Sequence, residues 1–136
     1  MPYQTRWLND EEQELWRLLL AAVRKIDRGM DETLKAGGEV SASEFAVLVA
    51  LSEAPEQRLR LRELCTQLEW DRSRASHQVT RMEKRGLLFK EPDEDDARGI
   101  NVCVTHAGLE HLRRAAPEHV ESVRRGVGVL GRRALR

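Results

Sequence analysis

Cysteine is scarce in this chain: two in 136 residues, Cys65 and Cys103, far from each other and from any pair of histidines. That excludes a disulfide framework and leaves no zinc spacing. Long apolar runs are missing too, and none approaches the roughly 18 residues that a membrane span needs. The opening stretch, Met-Pro-Tyr-Gln-Thr-Arg-Trp-Leu-Asn-Asp, lacks the apolar segment of a secretory leader. No nucleophile elbow, phosphate-cradling loop or glycine-rich dinucleotide turn occurs. There is no internal repeat, no low-complexity tract and no linker long enough to divide domains. These absences predict one soluble, cytoplasmic domain that is not an enzyme, holds no metal or cofactor and meets no membrane.

Net charge is absent as well, with 23 Lys and Arg against 23 Asp and Glu. That argues against a generally basic nucleic-acid binder, but the charges are unevenly spread. Met1 to Pro55 carries 6 basic and 10 acidic residues, whereas Arg72 to Lys90 carries 6 basic residues against Glu83 alone. A short, strongly basic segment within a neutral chain is the electrostatic footprint of a DNA reader.

What is present is mostly helical periodicity. Leu15, Leu18, Leu19, Ala22, Val23, Ile26, Met30 and Leu34 step by three and four, which predicts a long helix over 9–36. Asn9 with Glu12 forms its capping box, and Gly37-Gly38 is expected to stop it. The stripe is too long for so small a domain to cover, so a partner subunit is expected. Ser41 and Glu44 open a second helix, with Phe45, Leu48, Val49 and Leu51 inward and Pro55 at its end. After Leu59-Arg60, a third helix turns Leu61, Leu64, Cys65 and Leu68 inward. A turn at Glu69-Trp70-Asp71 then leads to a fourth helix from about Arg72 to Arg85, capped by Asp71 and closed by Gly86. Ala75, Val79 and Met82 alone make its apolar stripe. The period then becomes two. Leu87 to Glu91, an acidic loop from Pro92 to Gly99, and the alternation Ile100, Val102, Val104 predict a β-hairpin. A last helix over 105–125, with Leu109, Leu112, Ala116, Val120 and Val123 inward, is bent at Pro117. A frayed, glycine-rich tail is expected over 126–136.

Two helices joined by a short turn, the second basic outward, followed by a hairpin, outline a winged helix-turn-helix over 41–104. The major groove of B-DNA admits one α-helix. Arg72, Arg74 and Arg81 suit guanine edges or phosphates, Gln78 suits adenine, and Ser73, Ser76 and His77 complete the outward face. In the hairpin, Glu91, Asp93, Glu94, Asp95 and Asp96 would repel phosphate, yet Arg98 stands near the tip. A carboxylate bonded to that guanidinium, as from Asp96, would fix its direction for a narrow, negative minor groove.

The stretch from Asp71 to Leu87, Asp-Arg-Ser-Arg-Ala-Ser-His-Gln-Val-Thr-Arg-Met-Glu-Lys-Arg-Gly-Leu, resembles the recognition helix and exit of the MarR (multiple antibiotic resistance regulator) family. Asp96-Ala-Arg-Gly-Ile-Asn-Val-Cys-Val-Thr105 resembles its wing signature. The resemblance spans Leu8 to about Arg125. It implies a mainly α fold with a small β-hairpin wing and N- and C-terminal dimerisation helices. It also implies a homodimeric transcriptional regulator, in most such proteins a repressor, on a pseudo-palindromic operator in double-stranded DNA. By that resemblance Arg98 enters the minor groove, Asp96 orients it, and Ser73, Arg74, Ser76, His77, Gln78 and Arg81 face the major groove. A small aromatic or phenolic ligand, bound between the dimerisation region and the DNA-binding lobe, would release the DNA. The chain departs from the family's pattern at its end, where the last interlocking helix is expected to be missing or truncated. That departure motivates an alternative: a winged-helix interaction module that pairs with a full-length relative and binds no operator by itself.

The remaining candidates have plainer readings. Cys65 is expected to be a small buried hydrophobe. Cys103 falls opposite Ile100, Val102 and Val104, which predicts partial exposure, but no basic neighbour in sequence activates it as an oxidant sensor. Trp7 and Trp16 could line a ligand pocket, although packing suits Trp16 better. His106 and His111, five apart, do not share a helix face for metal binding.

Overall fold

Local signals start each helix where the pattern places it. In the computed structural model, which describes residues 4–134 (without the side chains of 127 and 129–134), the first helix, α1, spans Asp10–Gly38. Asn9 Oδ1 accepts from the Glu12 amide at 2.8 Å, and Glu12 Oε1 accepts from the Asn9 amide at 3.1 Å. Helix α2 spans Ala42–Glu53 under the reciprocal Ser41–Glu44 capping box.

Gly37 and Gly38 do not stop α1. The helix runs through both and ends at Glu39, whose φ of 58° makes the left-handed cap. The glycines serve packing instead. A Cβ on Gly38 would lie 2.6 Å from both the Ala115 Cβ and the His111 carbonyl oxygen, so α1 crosses the last helix at backbone contact. The Gly38 carbonyl oxygen and His111 Nδ1 are 2.6 Å apart at that crossing.

After a single 3-10 turn at Pro55–Gln57, strand β1 (Arg58–Arg60) leads into α3 (Leu61–Leu68) and α4 (Arg72–Lys84). Strands β2 (Leu88–Pro92) and β3 (Ile100–Val104) follow, and α5 spans His106–Ala134. The sheet has three antiparallel strands in the order β1-β3-β2, with Leu59 opposite Val102 and Lys90 opposite Val102 on the other side. The hairpin therefore gains a third strand. Arg-Leu-Arg is too short to show a period, and its pairing partner lies some forty residues away in the chain, beyond any local signal.

The continuous core lies under α2 and the sheet: Leu48, Leu51, Leu64, Met82, Leu88 and Val102 are fully buried. Apolar area there is removed from water at about 25 cal/mol per Å². By contrast, most of the α1 stripe is uncovered. Leu15 is 68% exposed and Leu18 61%, and Leu19, Val23 and Ile26 are about half exposed, as are Val120 and Val123 on α5. Trp16, expected to pack beside the stripe, is half exposed with it, and Trp7 is open to solvent.

Helix α5 corrects the reading of the C-terminal region. It continues from Arg125 through Gly126, Gly128 and Gly131 to Ala134, where a frayed tail was expected, and Pro117 lies inside it without ending it. Glycine lowers helix propensity by only about 1 kcal/mol per residue, which neighbouring turns outweigh. Residues 135–136 lie outside the described chain.

Candidate nucleic-acid interface

Asp71 fixes the start of α4: its Oδ1 accepts from the Arg74 amide at 2.8 Å. Gly86, at φ 74°, closes the helix where a side chain would be strained. Ala75, Val79 and Met82 are buried, which turns the opposite face of α4 outward. Arg72, Ser73, Arg74, Ser76, His77 and Arg81 are all exposed on it. A mixed row of guanidinium, hydroxyl and imidazole groups along one helix is what phosphate and base-edge contact requires.

Gln78 is a correction. It is 6% exposed, and its Oε1 accepts from Arg81 Nη2 at 2.6 Å. Its oxygen is thereby committed to Arg81, and little of the side chain is open to solvent.

Trp70 is a residue that pattern reading treated only as part of a turn. The Arg74 guanidinium carbon sits 4.3 Å from the centroid of a Trp70 ring, inside the range of a cation–π contact. The signal available was the four-residue spacing across the helix start. Arg60 and Arg62 were also missed, although the run Arg58-Leu59-Arg60-Leu61-Arg62 alternates basic and apolar residues as a half-buried segment does.

The wing explains its own acids. Asp93 Oδ2 lies 2.6 Å from Arg60 Nε, and Glu91 lies 3.3 Å from Arg58 Nη1. Asp93 Oδ1 accepts from the Asp95 amide at 3.1 Å. These carboxylates brace the hairpin and shape its turn, so several of the negative charges are spent internally. Asp96 does the same. Its Oδ1 accepts from the backbone N–H of Arg98 at 3.0 Å, and the Asp96 carbonyl accepts from the Gly99 amide at 2.9 Å. The expected bond from Asp96 to the Arg98 guanidinium is not the one observed; Asp96 holds the Arg98 backbone in the turn. The Arg98 side chain is left exposed at the tip. Lys90 Nζ ties the wing to α4 through Thr80 Oγ1 at 3.3 Å and Glu83 at 3.6 Å.

Cys103 is also a correction: it is buried, at 7% exposure. Strand β3 is central, so Cys103 lies between Arg58 and Phe89 on the flanking strands. Burial pushes its thiol up to about 11, helped by the adjacent Glu91 carboxylate and opposed by Arg58. A neutral, covered thiol is a poor oxidant sensor. Cys65 is half-buried on α3.

The exit of α4 is coupled to the long helices. Arg85 pairs with Glu44 and donates to the Glu39 carbonyl at 2.9 Å. Thr105 Oγ1 donates to the Gly86 carbonyl at 2.6 Å and accepts from the Gly108 amide at 3.0 Å, which caps α5.

Helices α3 and α4, joined by a tight turn and followed by a braced hairpin with an arginine at its tip, make a winged helix-turn-helix DNA-binding lobe. Comparison with known proteins refines that class. A MarR family model matches residues 39–99. Sco3205, a MarR family transcriptional regulator from Streptomyces coelicolor solved in complex with DNA, is 39% identical with a TM-score of 0.85. That likeness covers 90% of this chain and 77% of Sco3205. AbsC, a MarR family regulator from the same organism, is 40% identical with a TM-score of 0.83, over 89% of this chain and 81% of AbsC. The regulator PecS of Dickeya dadantii is 31% identical over 101 residues, 73% of this chain and 60% of PecS. The chain belongs to the MarR family. It spans about 60% of the length of PecS and of the repressor MprA, the curated relatives it matches first.

Proposed function

We propose that this protein is a transcriptional repressor that binds a pseudo-palindromic operator as a homodimer and is released from it by a small ligand. The observation that carries the DNA half is spatial. Arg72 at the start of the basic helix and Arg98 at the wing tip border one cleft, so the lobe presents cations to two adjacent grooves at once. Arg72, Ser73, Arg74, Ser76, His77 and Arg81 supply major-groove contacts, Arg98 the minor-groove contact, and Asp96 the turn that aims it. Gln78 serves as a support for Arg81.

Two observations favour the homodimer. Leu15, Leu18, Leu19, Val23 and Ile26 leave an apolar stripe of α1 exposed, and Val120 and Val123 on α5 are exposed as well, which favours cover by a second copy. A two-fold pair of lobes then reads two half-sites as a single linked molecule. The alternative, a module that pairs with a full-length relative and binds no operator by itself, rests on the expected absence or truncation of the family's last helix, and duplex binding decides between the two readings. Support for a ligand between the lobes comes from His119 on α5. Its Nδ1 is buried without a hydrogen-bond partner among the described residues, and its ring lies 4.6 Å from that of Phe45. That nitrogen is closed to solvent, so a ligand hydroxyl would reach it only if the α2–α5 contact opened.

The test is fluorescence anisotropy with duplex DNA from upstream of the gene against a scrambled duplex, at several salt concentrations. A preference of about a thousandfold or more is expected for a specific reader. Equal, weak binding to both duplexes would overturn the reading.

A further inference from the structure

We propose that Arg85 is a positioning residue for operator binding: it clamps the exit of the recognition helix to the junction of α1 and α2, and so sets the half-site spacing that the dimer accepts. The inference rests on the reading of a homodimer on a two-fold operator, and names the side chain that fixes its geometry.

The clamp joins three elements that are distant in the chain. Arg85 is the C-cap of α4, 41 residues beyond Glu44. Its Nη1 pairs with Glu44 Oε2, and its Nη2 donates to the Glu39 carbonyl at 2.9 Å. Glu39 is the left-handed cap of α1, and Glu44 lies in the first turn of α2. Glu44 is itself held, because its other oxygen accepts from the Ser41 amide at 3.0 Å. The junction is tied as well, by the Ala42 amide donating to Asp31 Oδ1 at 2.8 Å. One guanidinium fork therefore grips two acceptors whose positions are already fixed. The Glu44 side chain is only 12% exposed, so the pair is screened less than one on the open surface.

Helix α5 holds the same exit from another direction. Thr105 Oγ1 donates to the Gly86 carbonyl at 2.6 Å, and a Cβ on Gly108 would lie 2.2 Å from the Leu87 carbonyl oxygen. The anchored end of α4 is thus its C-terminus, while Arg72, Ser73 and Arg74 lie at the other. Helix α4 has 13 residues. That makes it a lever of about 20 Å at roughly 1.5 Å per residue, so turning the lobe by about 10° at the junction carries the start of α4 through about 3 Å. The rise of one base pair is about 3.4 Å. In a two-fold dimer both lobes turn, which doubles the change in separation. A loosened clamp therefore blurs the spacing by at least one base-pair step.

The test is a spacing profile measured on the full chain. The probe is the duplex from upstream of the gene that the parent binds most tightly, beside the same duplex with one or two base pairs inserted at its dyad. One inserted base pair should lower the parent's affinity by about tenfold or more. Arg85→Gln should bind the unaltered duplex about tenfold more weakly, the loss of one charged hydrogen bond, and lose less than about threefold on the insertion. Arg85→Lys keeps the charge but cannot fork to both acceptors, and should fall between. Glu44→Gln, which keeps an oxygen for the Ser41 amide, should reproduce Arg85→Gln, with the double variant no worse than either. A residue that only stabilised the lobe would lower the thermal midpoint and scale affinity equally at every spacing. Retention of the parent's spacing ratio by Arg85→Gln overturns the proposal.

A second measurement needs no operator. Spin labels at Arg24→Cys on α1 and Gln67→Cys on α3, both exposed positions, report the distance from the long helix to the lobe. Cys65 and Cys103 are replaced by Ala, and labelled chain is diluted into unlabelled chain. The parent should give one narrow distance distribution and Arg85→Gln a broader one. Equal widths overturn the clamp. A chain that binds no upstream duplex yet broadens in this way overturns the operator reading and leaves the clamp standing.

Discussion

The Arg74 guanidinium lies over Trp70, 4.3 Å from a ring centroid, at the point where the turn enters the recognition helix. An unsupported arginine explores many rotamers, and ordering it on DNA costs up to about 2 kcal/mol of side-chain entropy. Stacking removes part of that cost in advance.

Replacing Trp70 by Ala should therefore weaken duplex binding by about three- to tenfold, the value of a partly exposed cation–π contact. Trp70 also packs against the core, so stability will fall as well. Trp70→Phe separates the two effects, since it keeps a ring under Arg74 and should retain most of the affinity. Anisotropy on both variants, below their thermal midpoints, checks this. Equal losses for Ala and Phe would show that packing alone matters.

The wing gives a sharper distinction. Asp96 accepts from the Arg98 backbone rather than from its guanidinium. Asp96→Asn keeps an oxygen for that N–H, so duplex affinity is expected within about threefold of the parent, whereas Asp96→Ala loses the turn and about 1 kcal/mol of hydrogen bonding. Arg98→Ala should cost more affinity than either with no change in thermal midpoint, because its side chain is exposed. If Asp96→Asn behaves like Asp96→Ala, the carboxylate charge is what Arg98 needs.

These two cases show where sequence reading reaches and where it stops. The capping boxes at Asn9 and Ser41, the Asp71 cap and Gly86 were legible because each depends on residues within four positions. The burial of Ala75, Val79 and Met82 followed from helical period alone. Strand β1, the packing role of Gly38 and the burial of Cys103 were not legible, since each is decided by residues distant in sequence. Gln78 shows the finer limit. The helical period placed it on the outward face, and its burial against the lobe with a bond to Arg81 is tertiary detail that the period does not carry.

Gly38 yields a prediction about stability. A Cβ there would meet the His111 carbonyl oxygen and the Ala115 Cβ, each at 2.6 Å, and one of these is backbone that cannot rotate away. Gly38→Ala should destabilise the fold by about 1–3 kcal/mol through overpacking, despite the better helix propensity of alanine. Thermal unfolding beside Gly29→Ala, where the same Cβ meets nothing within 4 Å, isolates the clash from propensity. An unchanged midpoint for Gly38→Ala would mean that α1 and α5 separate freely.

Cys103 gives a pH dependence. Its thiol is raised from the ordinary 9.0 to about 11, chiefly by burial. The folded chain thus holds that proton more tightly than the unfolded chain. Its contribution is fully present below the unfolded value and is lost as pH rises through the folded one, a window from about 9 to about 11. Urea midpoints of the parent should therefore fall more steeply across that window than those of Cys103→Ala. At pH 8, Cys103 should alkylate far more slowly than Cys65. Parallel slopes would place a charged thiolate in the fold.

The α1 stripe makes the last prediction, and it joins packing to function. Leu18 is 61% exposed and sits among Leu15, Leu19 and Val23 on a face that nothing among the described residues covers. If a second copy covers it, Leu18→Glu places a charge inside that interface, where desolvation costs several kcal/mol. Light scattering after size exclusion should then find a monomer at concentrations where the parent is a dimer. The core under α2 and the sheet does not include Leu18, so the lobe should unfold with nearly its parental cooperativity. Duplex affinity should fall by about a hundredfold or more, because two half-sites no longer act through one molecule. A dimer that survives Leu18→Glu would assign the stripe to some other contact. A monomer that keeps full affinity would show that one lobe reads the operator alone.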